Sequence, residues 1–142
     1  IIGCDVVPKD YDADLLVVTS DGFGKRSKLS EFRPQNRGGL GLIATKFKSA
    51  ASRLVALTIV DEHDDIMVVT ANGIVTRVSA ADISRQGRPA TGVKVQNLVD
   101  NDTVVSVNKI INPDDDSASS ANVDSDKANQ QDSDVSQGNL EL

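Results

Sequence analysis

Three stretches concentrate the side chains able to do chemistry: Gly22-Phe23-Gly24-Lys25-Arg26, Gln35-Asn36-Arg37-Gly38-Gly39-Leu40-Gly41, and Ile83-Ser84-Arg85-Gln86-Gly87-Arg88-Pro89-Ala90-Thr91-Gly92-Val93. Each joins cations to glycine. Lys and Arg neutralise phosphate, and a residue without a Cβ lets backbone N–H groups come close to an anion. The first stretch is no nucleotide loop: it lacks the four-residue gap and Gly-Lys-Ser/Thr of a P-loop and the third glycine of a dinucleotide fingerprint. The pattern suits a backbone polyanion. Lys25, Arg26, Arg33, Arg37, Arg77, Arg85 and Arg88 are the expected phosphate contacts, with Gly38, Gly39 and Gly41 allowing close approach. Lys28, Lys46, Lys48 and Lys94 are weaker candidates, because strand alternation can turn some of them away.

Other reactive residue types stand alone. Cys4 cannot form an internal disulfide and, between Ile2 and Val6, is expected to be a small buried or edge residue. His63 lies in Asp61-Glu62-His63-Asp64-Asp65 without a second His or Cys, so a solvated acidic turn is favoured over a metal site. Tyr11, the only tyrosine, also sits in an acidic turn. No catalytic constellation is expected.

The elements that must carry these stretches form a repeat. Leu15-Leu16-Val17-Val18-Thr19-Ser20-Asp21-Gly22 reads against Ile66-Met67-Val68-Val69-Thr70-Ala71-Asn72-Gly73, an offset of 51 that also matches Arg26 with Arg77, Gln35 with Gln86, Arg37 with Arg88 and Gly41 with Gly92. Each unit opens with a β-branched apolar run and turns at Asp-Gly or Asn-Gly, dipeptides that tolerate the positive φ of a two-residue hairpin. Residues 15–19 should therefore pair with 23–29, and 66–70 with 74–78. A third strand is expected at 42–46 and 93–97, and a fourth at 54–60 and 104–111. Four strands in about fifty residues is the size of a propeller blade. The predicted fold is all-β: a closing strand and turn of a preceding blade at 1–14, blades at 15–65 and 66–111, and a disordered acidic tail at 112–142. Two blades are too few for a repeat array, so a fragment of a larger ring is expected.

Charge separates along this frame. The 142 residues carry 15 basic and 21 acidic side chains, a net charge of -6. Residues 1–111 hold 14 basic against 13 acidic, and residues 112–142 hold Lys127 against eight acidic ones. Residues 23–53 alone carry eight cations against Glu31. Stacked blades would align such stretches into a basic stripe that grips double-stranded DNA by its phosphates. Aromatics at 3% argue against stacking on single-stranded bases. No run of about 18 apolar residues is present, so no membrane partner and a soluble, intracellular chain are expected.

The three motifs, in order and followed by an acidic tail, resemble the C-terminal domains of DNA gyrase A subunits, over essentially all of residues 1–111. The resemblance implies a six-bladed β-pinwheel that bends DNA round a basic rim in support of ATP-dependent negative supercoiling. The acidic tail is implied to compete for the rim. It implies partnership with the remaining gyrase A domains and gyrase B subunits in an A2B2 heterotetramer, in a cytoplasmic, nucleoid-associated setting. ATP and Mg2+ would act through other domains, and this chain would need no cofactor. Residues 35–41 copy the family's Gln-Arg-Arg-Gly-Gly-Lys-Gly box only in part, with Asn36 and Leu40 at two basic positions, as in a late blade. The C-terminal domain of the topoisomerase IV A-type chain is a close alternative. A protein-interaction propeller docking an acidic partner is a rival of another class.

Overall fold

The computed structural model describes residues 1–110. The first apolar run forms β1 (Asp14–Thr19) and returns as β2 (Phe23–Lys28), paired antiparallel from Asp14↔Lys28 to Val18↔Gly24. Gly22 supplies the positive φ (80°) that closes this hairpin. β3 (Leu54–Val60) pairs antiparallel with the other edge of β1. The second unit repeats this with β4 (Asp65–Thr70) and β5 (Val75–Ser79) as a hairpin around Gly73. After β6 (Val93–Lys94), β7 (Val104–Ile110), the last strand among the described residues, takes the place beside β4 that β3 takes beside β1.

The sheets do not divide as the sequence repeat does. β6 leaves its own unit and pairs with β2, Val93 opposite Gly24 and Lys94 opposite Phe23, so the first sheet has the order β3-β1-β2-β6. Among the described residues the second sheet has three strands, β5-β4-β7. The crossing segment is bonded to β2 along its length. Arg26 N–H donates to Ser84 O (3.1 Å), Gln86 N–H to Arg26 O (2.7 Å) and Val95 N–H to Gly22 O (2.8 Å). The Ser27 hydroxyl donates to Gln86 O at 2.6 Å.

Leu16, Val18, Ala56 and Val60 of the first sheet share one core with Ile66, Val68 and Val104 of the second and with Ala80 and Ile83, which follow β5. Each fully buried Leu, Ile or Val contributes roughly 1.5–3 kcal/mol. In repeat register Leu16 matches Met67, whereas Leu15 matches Ile66. One unit's front therefore packs on the next unit's back, and Met67 is exposed because no sheet among the described residues covers it.

Three expectations need correction. Residues 42–46 form no strand. A strand exists by its hydrogen-bonded neighbour, and although Val93–Lys94, their equivalent, finds one in the other unit's sheet, no such sheet edge is offered to 42–46 among the described residues. The expected strand of 93–97 shortens to two residues and belongs to the neighbouring sheet. The run at 2–7 is likewise no strand; it is held by the Asp5 carboxylate, which accepts Ile59 N–H at 3.1 Å. Cys4 within it is exposed. The stretch 112–142, expected to be a disordered tail, lies outside the described residues.

The crossing of β6 over β2 depends on glycine. Gly92 has φ +98°, and a Cβ there would stand 2.4 Å from Gly24 O. Gly92→Ala should lose about 2–5 kcal/mol in urea unfolding, the sum of left-handed strain and a backbone clash. Its repeat equivalent is the control: Gly41 has φ +75° but open space around it, so Gly41→Ala should cost only about 1–3 kcal/mol.

Asp21 ties the first hairpin to residues 49–53. Partial burial raises its pKa, but hydroxyl hydrogen bonds from Thr19 and Ser52 (2.7 Å) outweigh that and leave it below its ordinary 3.8. The depressed folded value makes its stabilisation fully present above pH 3.8 and lost as pH falls through the folded pKa. The stability deficit of Asp21→Asn should therefore shrink on acidification, which urea midpoints between pH 7 and pH 3 will report.

Candidate nucleic-acid interface

The seven cations expected at phosphates have different fates. Lys25 is fully buried, its Nζ donating to Gly87 O at 2.6 Å and to Arg88 O. Burial lowers its pKa, and Glu31 partly offsets that. Arg26 is 5% exposed; its Nε donates to Ile83 O (2.9 Å) and its Nη1 to Asp14 Oδ2 (3.1 Å). Both cations expected at phosphates are instead buried on internal acceptors. Strand alternation does not separate these two neighbours, because β2 is buried without interruption from Gly24 to Ser27.

Asp14 holds two arginines, Arg26 buried and Arg85 at the surface. It is buried at the start of β1 and accepts from both Arg26 and Arg85, the latter at 2.9–3.1 Å. Hydrogen bonding to Asp14 raises the already high Arg85 pKa. Arg85 also meets Glu62 at 3.3 Å. In the second unit Arg77 pairs with Asp65, but at the surface, with 62% of its side chain exposed. These pairs follow the repeat: Asp14 and Asp65 are 51 apart, as are Arg26 and Arg77. Two partners sharing one offset was the signal that could have separated ion pairs from free cations.

The remaining cations lie on two loops that the structure joins. Arg33 and Arg37 are exposed, with no side-chain partner among the described residues, and Gly38 and Gly41 beside them have φ +73° and +75° with nothing within 4 Å of a Cβ. Gly39 is spent on a turn, donating its N–H to Asn36 O at 3.2 Å. Arg88, on the loop at 85–92, donates from Nη1 to Ile43 O (3.2 Å) and sits 5.8 Å from the Phe32 ring centroid. Ala90 O in turn accepts from Lys46 N–H and the Thr45 hydroxyl, both at 3.3 Å. The loop that bears Arg33, Arg37 and Lys46 is thus joined to the loop that bears Arg88. Lys48 lies 4.3 Å from the Phe23 ring centroid, and Lys28 and Lys94 are exposed. Phe23 and Phe32 were absent from the expected site; as lone aromatics beside cations they carry no sequence signature of that role.

Exposed cations beside open glycine backbone can take phosphate oxygens by charge and by N–H donation. The Asp14 and Asp65 pairs neutralise the cations near the acidic turns instead.

The family model for the DNA gyrase C-terminal domain, a β-propeller, matches residues 13–61 and 64–110. The DNA gyrase A protein of Synechocystis sp. is 50% identical over 93 residues, 66% of this chain and 11% of the relative. A solved DNA gyrase A C-terminal domain superposes with a TM-score of 0.64 at 34% identity, covering 70% of this chain and 34% of its own. The C-terminal domain of DNA topoisomerase IV superposes with a TM-score of 0.67 at 25% identity, covering 75% of this chain and 32% of its own. The chain thus spans about a tenth of the length of the curated relative. Matched over both of its repeats, it belongs to the DNA gyrase C-terminal β-propeller domain family.

Proposed function

We propose that this chain binds and bends double-stranded DNA as part of a DNA gyrase A protein, without itself cleaving DNA or hydrolysing ATP. The observation that carries the reading is the joined pair of loops bearing Arg33, Arg37, Lys46 and Arg88 beside the open backbone of Gly38 and Gly41. Membership in the family supports it. Bending 20–30 base pairs costs about 1–6 kcal/mol, which phosphate contacts spread along a surface must offset. Negative supercoiling then needs the strand-passing domains, gyrase B, ATP and Mg2+, all supplied outside this chain. The similarity to a topoisomerase IV domain keeps that enzyme as the second reading; the higher identity favours gyrase.

The test is salt. The log of the association constant for a 40-base-pair duplex should fall linearly with log salt, by about 0.9 for each phosphate neutralised. Equal affinity at 50 and 200 mM salt would remove DNA as the partner and leave the protein-docking propeller.

In the same reading the acidic stretch 112–142 competes with DNA for the cations, since it carries eight acidic side chains against Lys127. Truncation after Ile111 should tighten DNA binding at fixed salt. Unchanged or weaker binding by the shortened chain would refute competition.

A further inference from the structure

We propose that Lys25 is a positioning residue for DNA binding: its buried side chain pins the loop at 85–92 against the loop at 32–46, so that their cations act as one surface. The inference rests on the DNA reading above. An ammonium ion removed from water must find acceptors, and the ones Lys25 finds are the carbonyls of Gly87 and Arg88, in the middle of the second loop. The far side of that loop is fixed to the first unit as well. Arg88 N–H donates to Glu31 Oε2 at 3.2 Å, and the Arg88 guanidinium reaches Ile43 O. Thr45 and Lys46 close the circuit on Ala90 O. Residues from β2, from the turn after it and from the first loop are therefore all bonded to the short segment 87–90 of the second loop.

The repeat provides an internal comparison. Gly24 and Lys25 lie on the strand that carries the crossing loop; a Cβ on Gly24 would stand 2.8 Å from Val95 Cγ2. Their equivalents on β5 are Val75 and Thr76, and among the described residues β5 carries no such loop. The small residue and the buried cation thus occur where a loop is seated and are replaced where none is. Lys25 itself has no route to a phosphate, so its effect on DNA must pass through the loop.

The experiment uses the full 142-residue chain, Lys25→Met and Glu31→Gln. Amide hydrogen exchange is read at Arg88 and Ala90 and, as a fold control, at Leu16 and Val68. Binding and bending of an end-labelled 40-base-pair duplex are read across salt. Lys25→Met should speed exchange at Arg88 and Ala90, leave Leu16 and Val68 protected, lower the salt slope by about 0.9 as the Arg88 contact is lost, and reduce the bend at saturation. Glu31→Gln should shift the same readouts in the same direction by less. A Lys25→Met chain with wild-type loop exchange, or with a released loop but unchanged slope and bend, overturns the proposal. Should Leu16 and Val68 also lose protection, Glu31→Gln decides alone: faster Arg88 exchange with a reduced bend supports the pin, and unchanged values overturn it. Absence of salt-dependent binding by the unsubstituted chain overturns the DNA reading and this proposal together, whereas equal binding by all three chains overturns this proposal only.

Discussion

Asp14→Ala should destabilise the protein by about 3–5 kcal/mol, because it removes the carboxylate and leaves the Arg26 guanidinium buried without its ion partner. For a folded region of this size that is a fall in melting temperature of about 15 °C or more. It is a large part of the total stability of an ordinary domain, about 5–15 kcal/mol. Asp65→Ala is the matched control. It removes the equivalent pair at the surface, where solvent screens the charges, and should cost no more than about 1 kcal/mol. Removing both charges in Asp14→Ala/Arg26→Met should recover part of the loss, since the penalty comes from the orphaned cation. Thermal and urea unfolding of the four proteins measure this. Similar losses for Asp14→Ala and Asp65→Ala would mean that the Asp14 pair is worth no more than an exposed one.

Replacing Arg33, Arg37 and Lys46 together by Ala should lower the salt slope of duplex binding by up to about 2.7, at about 0.9 for each phosphate contact removed. Affinity at low salt should fall by orders of magnitude while the unfolding midpoint stays within about 0.5 kcal/mol of wild type, because the three side chains are exposed and hold nothing together. The loss should be uniform across DNA sequences, since phosphate contacts carry no base information. Binding would be measured by fluorescence anisotropy on two duplexes of unrelated sequence. A triple variant with the wild-type slope would place the DNA elsewhere on the protein.

These two predictions divide cations that look alike in the sequence, and that division marks what sequence reasoning could reach. The hairpins were legible because Asp21-Gly22 and Asn72-Gly73 report a local turn, and β-branched runs report the strands they join. The all-β repeat was legible through its offset. Exposure of a cation was legible only where no partner intervenes, as at Arg33 and Arg37. The burial of Lys25 was not legible, because its acceptors are backbone carbonyls more than sixty residues away, and a carbonyl has no letter in a sequence. The pairing of Arg26 was not legible although its partner is only 12 residues away, because an acidic turn reads equally well as a solvated one. The strand at 42–46 failed for a different reason. Pairing depends on an edge that residues 42–46 do not themselves supply.

The passage of β6 into the first sheet also sets an order of events during synthesis. The hairpin of β1 and β2 can close as soon as residue 28 is available, and β3 can join from residue 60. The fourth strand pairs Val93 with Gly24, so β2 waits for its outer neighbour until 65 residues beyond Lys28 have been made. Through that interval the edge of β2 is bare and Lys25 has yet to meet the carbonyls of Gly87 and Arg88. Closing so long a loop carries an entropic cost that only the finished contacts offset, which makes completion of this sheet a late, slow step and couples the first unit's integrity to translation of the second.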